Sequence, residues 1–173
     1  PETQYYYLFL AYDELSVAYN TRVARSKSIL GPYLTSTGMS ITSGAECFPM
    51  LTHPYQFKNH TGWVGFAHCA VFQNPDTKKW FYASQARLPE GVPGIAVSNA
   101  IMMGHVRGIE WTEDGWPVVE AERYAGVPTT TISEGSFVGA WEQITMNYQY
   151  KTMQKAGTIY LTADKKVSGD ATG

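Results

Sequence analysis

The sequence is poor in charge and has no long apolar run. Only 16% of its 173 residues are charged, and 13 basic against 15 acidic residues leave a formal net charge of −2. Without a basic excess there is little charge to neutralise phosphates, so we expect no nucleic-acid partner. The apolar stretches fall well short of the ~20 residues of a membrane-spanning helix, so we expect no membrane partner either.

Cysteine is also scarce, and the common catalytic motifs are missing. Cys47 and Cys69 are the only cysteines, and they lack the close spacing of a metal knuckle. We expect both to be free, buried thiols, with a single disulfide as the alternative. The sequence has no zinc signature, Gly-rich phosphate loop or Gly-x-Ser-x-Gly elbow, so it gives no support to those chemistries.

Aromatic residues are what the chain has in quantity. Five Trp, twelve Tyr and seven Phe make 14% of the residues. They occur in short runs with Thr and Val, separated by Gly, Pro and Asn, which is typical of strands and turns. We therefore predict an all-β fold with strands at residues 5–11, 21–26, 63–72, 79–86, 101–111, 116–119 and 137–146, and two short strands within residues 158–168.

The order of these strands gives a first view of the architecture. The aromatic strands at residues 5–9 and 79–82 are similar to each other, and long-period β repeats are typical of propeller blades, although a sandwich remains compatible. A change of composition at residues 127–133 predicts a linker. The tail beyond it is so short that we expect it to be incomplete or docked on its neighbour.

His68 is the histidine with the most unusual surroundings, because it lies among small and apolar residues in the middle of a predicted strand. A polar ring in such a place must find hydrogen-bond partners. It is either a satisfied core histidine or a ligand, direct or through water, for an ion at the centre of a β assembly. No second His or carboxylate lies at ligand spacing, so the residues alone leave both interpretations open.

Carboxylates and one arginine are further candidates, because aromatic-rich β proteins often handle sugars. Glycosidic cleavage normally uses two carboxylates, and those in apolar settings are Asp13, Glu14, Glu46 and Glu110. No pair stands out among them, so the catalytic residues remain unassigned. Arg87 ends an aromatic strand before a Pro- and Gly-rich loop, where a guanidinium either clamps sugar hydroxyls or is a solvated strand-end charge.

Several stretches, taken in order, resemble the C-terminal part of the arabinanases of glycoside hydrolase family 43. They are the runs at residues 5–9, 20–29, 31–33, 65–72, 105–107, 111–119 and 122–126. This resemblance implies an all-β chain made of the later blades of a five-bladed β-propeller, residues 1–127. Residues 128–173 would begin a small C-terminal accessory β domain.

The resemblance also implies an activity, which is hydrolysis of α-1,5-linked L-arabinan with inversion of configuration. The partner would be arabinan or an arabino-oligosaccharide, and the protein would be secreted or periplasmic. The family uses three carboxylates: a general base, an acid, and an aspartate that tunes the pKa of the acid. All three would lie upstream of Pro1, so we expect the N-terminal part of the enzyme as a partner, in a separate chain.

Four residues acquire roles through the resemblance. His68 matches the histidine associated with a central ion, typically calcium, and contact through water suits a hard cation better than a direct bond to nitrogen. Tyr19 and Asn20 lie where the family's sequence turns toward the substrate cleft. Arg87 matches an arginine of the family, whereas Gln85 replaces the histidine that often precedes this arginine.

Two other functions remain open. The chain could be a non-catalytic carbohydrate-binding β module, with Trp63, Trp80 and Trp111 as stacking platforms for sugar rings; this requires the three indoles to be exposed. It could also be a structural β domain without a ligand.

Overall fold

The chain is built from strands and turns. The structure is a computed structural model that describes residues 4–44, 46–96, 100–127, 130–145 and 151–171. Within these ranges the only helical segments are two short 3-10 turns, Ile41–Ser43 and Glu134–Phe137. No helix of sufficient length and apolarity to cross a bilayer occurs in this part of the chain. The predicted all-β class is confirmed.

Eleven strands follow one another along the described chain. They are β1 (Tyr6–Tyr12), β2 (Asn20–Ser26), β3 (Tyr55–Gln56), β4 (Val64–Gln73), β5 (Trp80–Arg87), β6 (Met103–Trp111), β7 (Pro117–Val119), β8 (Gly139–Gln143), β9 (Gln154–Lys155), β10 (Gly157–Leu161) and β11 (Val167–Gly169). All predicted strands are present. The strand expected at residues 137–146 is shorter, because a 3-10 turn precedes β8, and Met146 lies outside the described residues. Strands β3 and β9 were not predicted.

Two antiparallel sheets make up the larger part of the fold. Strands β4, β5, β6 and β7 form a four-stranded sheet in chain order, and β1 pairs with β2. Both β1 and β2 contact β4, so the two sheets pack against each other. Successive antiparallel sheets packed in this way are the blades of a propeller.

A buried polar cluster joins the two sheets. The Thr21 hydroxyl lies 2.7 Å from the Tyr82 hydroxyl, and the Thr52 hydroxyl donates to the Phe66 carbonyl at 2.7 Å. Burial raises the pKa of Tyr82 to about 12. Because every one of these four oxygens has a partner, the cluster fixes the relative position of β2, β4 and β5.

Strand β4 is bent in its middle. Its pairing with β5 shifts between Val64 and Ala67, and again between Ala67 and Ala70. Between these shifts His68 has a φ of +55°, which is uncommon for a residue other than glycine. The strand is buried before His68 and exposed or half-buried after it. The bulged backbone therefore turns the His68 side chain out of the core.

Arg107 ties the end of the four-stranded sheet to its surroundings. Its buried guanidinium donates to the Tyr55 hydroxyl at 2.7 Å and to the carbonyls of Glu120 and Ala121, and it lies 4.6 Å from the centre of the Phe66 ring. These acceptors all bond to one terminal nitrogen, whereas the buried Nε has no hydrogen-bond partner among the described residues, which also provide no carboxylate for this cation. Arg107 thereby fixes the segment that leaves β7.

The C-terminal strands dock on the segment around β3. Strands β8, β10 and β11 form an antiparallel sheet, and β9 pairs in parallel with β3. The Glu142 carboxylate accepts a hydrogen bond from the Lys58 amide at 2.5 Å. The predicted linker at residues 127–133 includes residues 128 and 129, which lie outside the described residues. The division into residues 1–127 and 128–173 stays a prediction.

His105 is packed between aromatic rings in the core beside Arg107. The imidazole centre lies 4.3 Å from that of Trp63 and 5.9 Å from that of Phe66, both edge to face. Burial, followed by the positive charges of Arg107 and Arg123, lowers the pKa of His105 from 6.5 to about 4. The folded protein therefore holds His105 in its neutral form near pH 7.

This lowered pKa predicts a loss of stability in mild acid. The unfolded chain binds a proton at His105 below pH 6.5 and the folded chain only near pH 4, so stability is complete above pH 6.5 and decreases toward pH 4. At pH 5 the free energy of unfolding should be about 2 kcal/mol lower than at pH 7. Urea unfolding of the wild type and of His105→Phe measures this. The variant should lack this part of the decrease, and an equal decrease in both proteins would contradict the assignment.

Candidate functional site

One edge of the two sheets carries three of the four predicted site residues. The loop between β1 and β2, residues 13–19, lies at this edge, with Asn20 as the first residue of β2. Arg87 ends β5 opposite Val64, which begins β4. The Arg87 guanidinium donates to the Leu15 carbonyl and so connects the two sheets here. We call this region the loop edge.

A clasp of three polar side chains fixes one end of the loop. The Asp13 carboxylate accepts hydrogen bonds from the Asn20 amide at 2.6 Å and from the Arg22 guanidinium at 3.0 Å. The Asn20 amide nitrogen also donates to the Ala18 carbonyl at 2.7 Å, and its oxygen accepts from Arg22 at 3.0 Å. Asn20 is completely buried. Its polar atoms therefore hold the loop, and a contact between Asn20 and a sugar stays a prediction.

The cysteines are free thiols, as expected. Cys47 is buried and lies 3.2 Å from the Val23 carbonyl, whereas Cys69 is half-buried. Burial raises the pKa of both thiols and that of the Tyr12 hydroxyl, which is next to Cys47. Protonated thiols are poor nucleophiles and poor metal ligands, so neither cysteine is a candidate for the chemistry of this site.

His68 lies on β4, near the loop edge, and its side chain is exposed. It is therefore not a core histidine. Within the described ranges no group hydrogen-bonds to its ring, and no set of three or more His, Cys, Asp and Glu residues could hold a metal ion. These residues do not form a direct metal cage. An exposed imidazole is able to hydrogen-bond to a water molecule that itself binds a cation.

Tyr19 and Arg87 differ in how much of each side chain a ligand could reach. Tyr19 is half-buried at the end of the loop, so part of the residue is accessible. Arg87 is buried, which lowers the pKa of its guanidinium. Gln85 lies opposite Ala67, the residue before His68. The structure thus gathers Tyr19, Asn20 and Arg87 at one edge with His68 close along β4, and their contacts with substrate stay predictions.

The four candidate carboxylates are not gathered at a single site. Asp13 is engaged with Arg22 in an ion pair at 3.0 Å. The other three are exposed: Glu14 lies on the loop, Glu46 lies after the turn of residues 41–43, and Glu110 lies on β6. No acid and base pair can therefore be assigned among these four carboxylates.

Two of the proposed sugar platforms are partly accessible and one is not. Trp63 is only 7% exposed and packs against His105. Trp80 and Trp111 are half-buried and meet edge to face, with 5.8 Å between ring centres. The row of three exposed tryptophans that the binding-module alternative requires is therefore not present.

Arg22 was missed as a residue of this site. It lies within the predicted strand 21–26, but its partner Asp13 is nine residues away, beyond the loop. Strand β2 is largely polar in sequence, so no local pattern marks Arg22 as a buried cation that needs an acidic or carbonyl partner.

Comparison with known proteins gives a consistent result. The pattern of the glycosyl hydrolases of family 43 matches residues 2–117, and that of a C-terminal lipocalin-like domain matches residues 121–173. The whole chain is 26% identical to extracellular endo-α-(1→5)-L-arabinanase 2 of Bacillus subtilis (strain 168), covering 40% of it. It is 28% identical to an extracellular endo-α-(1→5)-L-arabinanase of Thermotoga petrophila, covering 39%. The chain thus spans about two fifths of these relatives.

Solved structures agree over the same span. The crystal structure of endo-1,5-α-L-arabinanase from Thermotoga petrophila superposes on the whole chain with a TM-score of 0.85 at 27% identity, and the chain covers 40% of it. A family 43 glycoside hydrolase from Bacillus licheniformis gives a TM-score of 0.85 at 26% identity, with 41% of it covered. The chain has the fold of the corresponding part of these propeller enzymes.

The clasp at the loop edge generates a stability prediction. Asp13→Ala leaves the buried Arg22 guanidinium without its carboxylate, so the free energy of unfolding should decrease by about 2 kcal/mol. The neighbouring Glu14→Ala removes an exposed carboxylate and should change it by less than about 0.5 kcal/mol. Urea unfolding followed by tryptophan fluorescence compares them. Equal effects of the two substitutions would show that Asp13 has no special role.

Proposed function

Because the chain belongs to the glycosyl hydrolases of family 43, we propose that it is the C-terminal part of an arabinanase. The whole enzyme hydrolyses α-1,5-linked L-arabinan with inversion of configuration, and these residues complete one side of its cleft. The observation that carries the proposal is the similarity of all 173 residues to two proteins named as endo-α-(1→5)-L-arabinanases. Because the chain spans about 40% of them, the activity belongs to a longer assembly.

The names of the relatives support two finer statements. The two relatives described above, which match over the whole chain, are named endo-acting, whereas an exo-acting relative from Cellvibrio japonicus matches 67% of the chain. We therefore propose cleavage within the arabinan chain. All three are named extracellular, and a polymeric substrate lies outside the cell, so we propose an extracellular protein.

The open edge of β1 supports an upstream partner. β1 pairs with β2 on one side, and no strand of the described ranges lies on its other side. An edge of seven residues that no strand of the described ranges covers favours the addition of another strand. A cavity of about 490 Å³ beside this edge, between β1 and the four-stranded sheet, is lined by Tyr5, Tyr7, Phe9, Cys69, Val71, Trp80 and Trp111. A strand from the N-terminal part of the enzyme would fill it and would bring the catalytic carboxylates.

Within this proposal the residues of the chain bind and orient the substrate. Tyr19 is half-buried at the loop edge and would contact a sugar. Asn20 and Arg22 would act through Asp13, because their polar groups are used to hold the loop. The acid, the base and the aspartate that tunes the acid would face this edge from the upstream segment.

A calcium ion near His68 is part of the proposal. A hard cation prefers oxygen ligands, so His68 would hydrogen-bond to a water molecule of the ion's shell instead of binding the ion directly. The exposed, bulged position of His68 and its lack of a partner within the described ranges fit this contact. When bound, the ion would supply positive charge at the centre of the propeller.

The placement of the carboxylates predicts the outcome of a reconstitution. The purified chain should release no reducing ends from linear arabinan, and the chain combined with the upstream segment should do so. A reducing-sugar assay measures both. The upstream segment alone is the control and should be inactive, because it lacks this side of the cleft. Hydrolysis by the chain alone would place the carboxylates within these 173 residues and contradict the proposal.

The role of His68 predicts a second result. In the assembled enzyme His68→Ala should lower kcat by about tenfold or more and abolish the increase in Tm on adding calcium, because an outer-shell partner of the ion is lost. Far-UV circular dichroism should be unchanged, since the side chain is exposed. His60→Ala, which removes another exposed histidine, is the control and should keep both properties. Wild-type kcat and calcium response in His68→Ala would refute the role.

A further inference from the structure

We propose that Arg87 is a positioning residue, which fastens the β1–β2 loop, residues 13–19, to the neighbouring sheet instead of contacting a sugar. The consequence for catalysis rests on the proposed function. The fastening itself is a property of the chain and can be tested without a substrate.

The hydrogen bonding of Arg87 is the first argument. Arg87 is 7% exposed, and its terminal nitrogen donates to the Leu15 carbonyl, 72 residues earlier in the chain. No carboxylate of the described ranges forms an ion pair with it. The buried Nε of Arg87 has no hydrogen-bond partner among the described residues, so the Leu15 carbonyl is the acceptor that compensates this buried charge, and losing it would be costly.

Gly65 is the second argument, because it makes room for this bond. A Cβ atom on Gly65 would lie 3.3 Å from the Arg87 Nε atom and 3.4 Å from the Ser16 carbonyl oxygen. Its φ of +72° also favours glycine. The guanidinium and the loop backbone therefore both lie directly against β4, three residues before His68. The position of the loop relative to His68 is set at this point.

The other attachments of the loop are local. Asp13 is held by Asn20 and Arg22, and the Ala18 carbonyl accepts from Asn20, so both attachments come from β2, which the loop itself enters. Among the hydrogen bonds of the described residues, the bond from Arg87 is the one that reaches the middle of the loop from the other sheet. Losing it should free the middle of the loop and leave both ends attached.

A protease with glutamate specificity provides the test, because Glu14 precedes Leu15. Arg107 is the matched control: it is also buried, lies on the next strand, and holds the Ala121 carbonyl, which Glu120 and Glu122 flank. Under native conditions Arg87→Met should increase the rate of cleavage after Glu14 about tenfold, because the substitution removes one hydrogen bond from a charged group. The rates of cleavage after Glu120 and Glu122 should change by less than about twofold. Arg107→Met should give the opposite pattern. Mass spectrometry of the fragments measures each rate.

Arg87→Lys separates a positioning role from a merely structural one. An ammonium group keeps one donor for the Leu15 carbonyl, so cleavage after Glu14 should be slower than in Arg87→Met. In the assembled enzyme Arg87→Met should raise KM for linear arabinan, and Arg87→Lys should restore much of the loss. Unchanged cleavage after Glu14 in Arg87→Met, or an equal increase at all three sites, would overturn the proposal. Weaker binding of arabino-oligosaccharide with unchanged cleavage would assign Arg87 to sugar contact instead.

These outcomes are independent of the proposed function. If the assembled enzyme fails to hydrolyse arabinan, the assignment of the substrate is wrong, yet the cleavage rates after Glu14 still decide whether Arg87 holds the loop.

Discussion

A blade of antiparallel strands is apolar on both faces, so a neighbour must cover each face, and the rest of this structure depends on that constraint. One face of the four-stranded sheet packs against β1 and β2. The opposite face exposes four large apolar side chains, namely Phe72, Val106, Val118 and Tyr124. Exposed apolar surface of this kind marks an interaction site. It accords with a chain that has the fold of one part of a propeller.

Buried arginines connect the sheets with the segments at their edges. Arg22 holds the Asp13 carboxylate, Arg87 holds the Leu15 carbonyl and Arg107 holds the Ala121 carbonyl. Each arginine is a residue of a strand, and its guanidinium donates a hydrogen bond to a residue outside that strand. The loops at the candidate site thus owe their positions to cations in the core, because a buried guanidinium requires its acceptors to remain in place.

Local patterns in the sequence predicted much of this fold, and non-local contacts account for what was missed. The hairpin between β6 and β7 follows from an Asp-Gly corner, where Gly115 has a φ of +81°. Strands β3 and β9 have two residues each and pair across about a hundred positions, so no local alternation indicates them. The left-handed backbone of His68 arises from the register between β4 and β5 and has no signal in the residues around it. The resemblance to a family named the candidate residues, but only the structure shows that Asn20 and Arg87 are buried.

An experimental structure of the whole enzyme with a bound arabino-oligosaccharide tests the central claim most directly. The account predicts an upstream strand paired along the free edge of β1, and a sugar at the loop edge between Tyr19 and carboxylates of the upstream segment. A β1 edge that remains in solvent, or an oligosaccharide bound away from the loop edge, would contradict the claim that this chain completes the cleft.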